Sequence, residues 1–175
     1  MKRLSAIFSL IALLAFQACE GPMGPPGPPG LDGLDGVTIV GKAFEFGGNF
    51  TAANDYQISF TFPSANLASD KVLVYLLVGE FEGEDIWRLM PQTYYLDNGI
   101  LVYNFDFTRR DVICFLDGAI DPSTLGSDFT QNQIFRAIVI PADPANFRMD
   151  YSDYSATMEY YGIEEEDFIK TYPRN

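Results

Sequence analysis

The chain has 175 residues, with 24 acidic against 11 basic side chains, a net charge of −13 and no histidine. Such a charge repels nucleic acid and anionic lipid headgroups, and the missing imidazole removes the usual base near neutral pH, the commonest metal ligand and every Ser-His or Cys-His pair. Fifteen Phe and ten Tyr suit a β-rich fold with substantial aromatic packing.

Lys2 and Arg3 open the chain, and an apolar run from Leu4 to Phe16 follows, interrupted only by serines. The run is too short for a comfortable membrane-spanning helix and has the proportions of an export signal over residues 1–18. Phe16-Gln17-Ala18-Cys19 resembles the lipobox of bacterial lipoproteins. The resemblance implies that Cys19 becomes the first residue of the mature chain and carries acyl groups. Ala18 and Cys19 fit that pattern, whereas Phe16 and Gln17 stand where Leu and a small residue are usual. Ordinary signal cleavage that leaves Cys19 as a thiol is the alternative reading. Residues 1–18 hold two basic and no acidic side chains, so a chain starting at Cys19 keeps 9 basic against 24 acidic residues, a net of −15.

From residue 21 glycine recurs at every third position, at Gly21, Gly24, Gly27, Gly30, Gly33 and Gly36, with Pro22, Pro25, Pro26, Pro28 and Pro29 in the gaps. A collagen triple helix needs this spacing, because only hydrogen fits where three polyproline-like strands meet on an axis. The period holds through the switch from GPP to GLD, which a flexible Pro/Gly spacer has no reason to do. Residues 19–38 are therefore expected to form a lipidated, collagen-like stalk in a homotrimer, and residues 21–38 extend about 56 Å at ~3.1 Å per residue. Asp32 and Asp35 fall in successive triplets, and a solvated acidic collar is the plainer reading of them than a cation site. Two or more acyl chains give a stable anchor, at about 0.8 kcal/mol per buried methylene, and anchored neighbours raise the local concentration of stalks.

Strand patterns begin after Val37. Ile39 to Phe46 places Phe44 and Phe46 on one face, and Tyr56, Ile58, Phe60 and Phe62 alternate with polar residues up to Pro63. Val72 to Val78 is apolar on both faces, as in a central strand, and GEFEGED then reads as an acidic loop. Ile86 to Met90 is a further strand. Asp97-Asn98-Gly99 marks a tight hairpin between Thr93–Leu96 and Ile100–Phe107. Val112 to Leu116 holds Cys114, which has no intrachain partner once Cys19 is lipidated and so reads as a buried small hydrophobe. A long polar connection, Asp117 to Gln133, leads to Ile134–Ile140. Seven or eight strands in about 100 residues without βαβ spacing predict an all-β antiparallel sandwich over residues 39–143. Residues 144–175 change character and read as a helical or irregular segment: Pro144 and Asn146 suit a turn, Ser152 or Asp153 caps a short helix ending at Gly162, although YSDYSATMEYY also fits a strand, and Ile163 to Tyr172 adds a further helical turn or two.

CEGPMGPPGPPG followed by a β-rich head resembles the collagen-like repeat lipoproteins of the Bacteroidota, with further likeness at Ile86–Thr93, Tyr103–Thr108, Asp111-Val112 and Asn132–Asp143. The resemblance implies an outer-membrane lipoprotein, at the cell surface or on the periplasm-facing side, and transfers no catalytic residue. In that group acidic residues after the cysteine favour surface export, and Glu20 alone fits here.

Within the head, Glu80, Glu82, Glu84 and Asp85 are the densest acids. They lack the spacing of a calcium loop, so calcium is a weak candidate and a solvated strand connection the plainer reading. A glycosidase pair such as Glu82 and Asp106 defines a third class, a calcium-dependent hydrolase, but no spacing in the sequence fixes the carboxylate separation it needs. Trp87, Tyr94, Tyr95 and Tyr103 are candidates for an aromatic platform that binds a glycan or a protein, although strand alternation commits about half of them to the core. Arg109 and Arg110 beside Asp111 read as a surface turn, or as charges paired across a contact between heads. The leading expectation is a non-enzymatic, membrane-anchored homotrimer with a structural or adhesive role and no cofactor.

Overall fold

The computed structural model describes residues 41–142 and 149–172. The chain divides after Gly36, and everything described belongs to the second unit; Cys19, the stalk glycines, Pro144 and Asn146 lie outside the described residues. The fold is mostly β, with two sheets and few helices. Its strands are β1 (Lys42–Gly48), β2 (Gln57–Thr61), β3 (Lys71–Phe81), β4 (Glu84–Leu89), β5 (Gln92–Leu96), β6 (Gly99–Phe107), β7 (Asp111–Gly118), β8 (Gln133–Ile140) and β9 (Ile169–Thr171), with a single helical turn α1 (Ser127–Thr130) and a helix α2 (Tyr154–Tyr161). The five-stranded sheet runs β4-β3-β8-β1-β9 and the four-stranded sheet β2-β7-β6-β5.

Alternation explains how the sheets share a core. On β1, Phe44 and Phe46 point toward the other sheet, where Phe44 meets Phe60 at 5.3 Å and Phe62 at 5.4 Å between ring centroids, and Phe46 meets Phe60 at 5.2 Å. Val74, Leu76, Phe135, Ala137, Leu101, Tyr103, Val112 and Cys114 complete this cluster from both sheets. The Cys114 thiol is fully buried there, and burial pushes its pKa well above the usual thiol range.

β3 and β8 are apolar on both faces because the five-stranded sheet is covered on both. Tyr75, Trp87, Ile138 and Ile140 turn away from the shared core and pack with Tyr161, Ile163 and Phe168 of the C-terminal segment in a second cluster. The segment expected as a helical or irregular tail is thus a third layer. Asp153 caps α2 by accepting from the Ala156 amide at 3.0 Å, and Gly162 ends it at φ 59°. Beyond it, Glu165–Asp167 forms one 3₁₀ turn, and β9 adds to the sheet edge parallel to β1, pairing Phe44 with Ile169 and Phe46 with Thr171. This three-residue strand takes the described total to nine, one of them parallel. Its apolar signal is too short to separate from a helical turn.

The hairpin at Asp97-Asn98 forms, with Leu96 opposite Gly99. GEFEGED is not a loop. Gly79–Phe81 and Glu84-Asp85 continue a β3–β4 hairpin, and only Glu82 and Gly83 turn, at φ 54° and 87°. Two successive positive φ values match the twist of the flanking strands, and Gly83 supplies the easier half of that conformation.

Candidate functional site

The densest polar cluster of the described residues sits between the five-stranded sheet and the C-terminal layer. Glu45 and Arg136 occupy outward positions on β1 and β8 that alternation gives to the covered face, and both are buried. Arg136 Nε and Nη2 each lie 2.8 Å from Glu45 Oε2, Nη1 donates to the Tyr154 hydroxyl at 2.5 Å, and Nη2 donates to Glu165 Oε1 at 2.5 Å. Its guanidinium carbon lies 4.2 Å from the Trp87 ring centroid and 4.0 Å from that of Phe168, so cation–π attraction adds to the charge-assisted bonds. The second Glu45 oxygen accepts from the Tyr172 hydroxyl, with Lys170 Nζ at 3.8 Å, and Lys170 bonds Glu165 at 2.7 Å.

Two cations and two carboxylates balance within the cluster. Burial works against the Arg136 charge, yet Tyr154, Glu45 and Glu165 together raise its pKa above the ordinary value. For Glu165 burial favours the neutral acid, but Lys170 and Arg136 outweigh it and hold the carboxyl below its usual range. Burial pushes the Tyr154 hydroxyl up, against the pull of Arg136. With its donors committed to partners in the same chain, Arg136 fastens the C-terminal layer to the sheet.

A cleft of about 570 Å³ opens beside the cluster, and Trp87, Arg136, Tyr154, Glu84, Asp85 and Glu164 are among the residues that line it. Its acidic wall favours a cationic or hydroxyl-rich ligand.

The expected site residues are dispersed. Trp87 borders this cleft on the covered face of the five-stranded sheet. Tyr103 is buried in the shared core and donates to the Phe129 carbonyl at 2.7 Å, while Tyr94 packs on it at 5.6 Å. Tyr95, on the opposite face of β5, is 82% exposed. The structure therefore does not join the four aromatics into one platform, because successive residues of a strand face opposite ways. Glu80, Glu84 and Asp85 flank the β3–β4 turn that Glu82 itself helps to form, and Asp106 lies in the other sheet. Among the described residues no group of three or more acids or cysteines is placed to hold a metal ion. Arg109 and Arg110 are both exposed, and Arg109 is tied by its Nε to the Asn66 carbonyl at 2.7 Å.

Glu45, Arg136, Tyr154 and Glu165 were not expected as a site. The signal was a lone Arg inside Ile134–Ile140 and a lone Glu inside AFEF, each on a face that otherwise reads as apolar. Comparison with known proteins adds no relative: no family model matches the chain, and no curated protein or solved structure shows significant similarity to it.

Proposed function

We propose that this chain is a lipoprotein held to a bacterial outer membrane by acyl groups on Cys19, wound with two further copies through residues 21–38, and that its β head serves a structural or adhesive role without catalysis. The observation that carries this reading is the unbroken glycine period beginning two residues after a cysteine that ends an export-signal pattern. The self-neutralised Arg136 cluster is in keeping with it, since its charged groups are spent on holding the head together. The reading predicts that the protein stays with membranes through high salt, needs detergent for release, and then crosslinks to a trimer. Release by salt alone as single chains rejects both the anchor and the assembly.

A second reading, a glycan- or protein-binding module for which the stalk is a spacer, is favoured by the cleft beside Trp87. Quenching or a shift of Trp87 fluorescence by oligosaccharides or basic peptides tests it, and a flat titration across both sets removes it.

A further inference from the structure

One end of the head is marked by several independent features. β1 starts there at Lys42, whose Nζ lies 3.4 Å from Asn66 Oδ1. The Asn66 amide donates to the Arg109 carbonyl at 2.7 Å, Arg109 Nε returns a bond to the Asn66 carbonyl, and the Phe62 amide donates to the Arg110 carbonyl at 2.8 Å. The loop after β2 and the turn between β6 and β7 are thus laced together beside the chain's entry point. Two large apolar side chains protrude within two residues of that lacing, Leu67 at 65% and Phe107 at 48% exposure. Asp106 and Arg110 are exposed on the same turn region, and neither side chain has a partner among the described residues. The loop also holds Asn66 Nδ2 and Asp70 Oδ1, buried side-chain atoms without a hydrogen-bond partner, so it is the least internally satisfied part of the head.

We propose that three copies of the chain meet at this end, with Leu67 and Phe107 packed between heads and Arg110 of one copy paired with Asp106 of the next. The inference rests on the trimer reading above and adds the surface through which the heads touch. Chain length selects a second copy as the occupant. Gly36, the last glycine of the period, and Lys42 are six residues apart, so a fully extended chain between them reaches only about 20 Å. Three β1 starts are therefore confined near one axis, at a local concentration of order millimolar. Around a three-fold axis each copy offers its two neighbours different surfaces. Unpaired charges of opposite sign four residues apart in the chain suit that arrangement, because each head gives a cation to one neighbour and a carboxylate to the other. Tyr95 and Ile100 also protrude, but at the opposite end of the nine-residue β6, about 23 Å along the strand. The tether gives them no neighbour.

The test uses the full chain in its membrane, with single cysteines placed by Leu67→Cys, Phe107→Cys, Tyr95→Cys and, within the glycine repeat, Asp32→Cys, each treated with a short bis-maleimide. The buried Cys114 stays silent. Leu67→Cys and Phe107→Cys should give covalent dimers, the largest product that one thiol per chain allows, at yields within about twofold of Asp32→Cys and at least about fivefold above Tyr95→Cys. Adding Arg110→Glu to Phe107→Cys should cut the yield severalfold, and adding Asp106→Arg to that chain should restore it. Crosslinking at Asp32→Cys with Leu67→Cys and Phe107→Cys no better than Tyr95→Cys overturns the proposed surface and leaves the trimer standing. An unchanged yield with Arg110→Glu overturns the charge pairing. No crosslink at Asp32→Cys removes the trimer and this inference with it.

Discussion

Glu45 and Arg136 stand directly opposite each other in the β1–β8 ladder, and their side chains join at 2.8 Å beneath the C-terminal segment. Removing Arg136 leaves the buried Glu45 with only the Tyr172 hydroxyl and Lys170 at 3.8 Å, and removing Glu45 leaves the buried Arg136 to Tyr154 and Glu165. Arg136→Met is expected to destabilise the head by about 3–5 kcal/mol, and Glu45→Gln by a similar or smaller amount. Urea unfolding measures the loss, and limited proteolysis should show cleavage within residues 149–172 before the strands are cut. A change below about 1 kcal/mol in Arg136→Met, with protease resistance intact, would contradict the role assigned to the cluster.

Tyr75 is fully buried between the five-stranded sheet and the C-terminal layer, donating to the Tyr151 carbonyl at 2.7 Å, and burial raises its pKa to about 12. Burial and the bond to Glu45 raise Tyr172 to about 12 as well. A phenol whose folded pKa exceeds the unfolded value near 10 favours the protonated native state. Its contribution is complete below pH 10 and is lost as pH rises through 12, with Tyr75 alone accounting for about 3 kcal/mol at the upper limit. Urea midpoints should hold level up to pH 10 and fall beyond it, and Tyr75→Phe should flatten part of that fall at the expense of one buried hydrogen bond.

The β3–β4 turn carries Glu82 at φ 54°, a conformation that asparagine tolerates better. Glu82→Asn should stabilise the head by about 0.5 kcal/mol. A loss of stability in calcium-free buffer would instead point to a favourable contact of the Glu82 carboxylate.

Cys114 is sealed in the shared core with its thiol pKa pushed up. Maleimide should leave it unmodified in the native protein for hours and label it at once in denaturant. Rapid labelling of the folded chain would mean that the two sheets separate readily.

Much of this fold can be read from alternation alone. Phe44, Phe46, Ile58 and Phe60 announce their faces, and the doubly apolar strands β3 and β8 announce a covered central position. Asp153 and Gly162 mark both ends of α2. The candidate site was illegible for a physical reason: its cation, Arg136, sits in one apolar run and its carboxylates, Glu45 and Glu165, lie 91 and 29 residues away. Only the β1–β8 register and the folded-back C-terminus bring them together. The same geometry parts two of the four aromatics, since adjacent Tyr94 and Tyr95 cannot share a face of one strand. β9 was hidden because its pairing depends on an edge left open by the first strand.

That edge has a consequence for how the molecule is made. The first described strand, β1, is flanked by the last two, β8 and β9, so the larger sheet stays open until residues 133–171 have been delivered. Contacts of such wide sequence separation form late and slowly. During that interval a Phe-rich ribbon with both borders bare is vulnerable to chaperone capture or to misassembly with nascent neighbours.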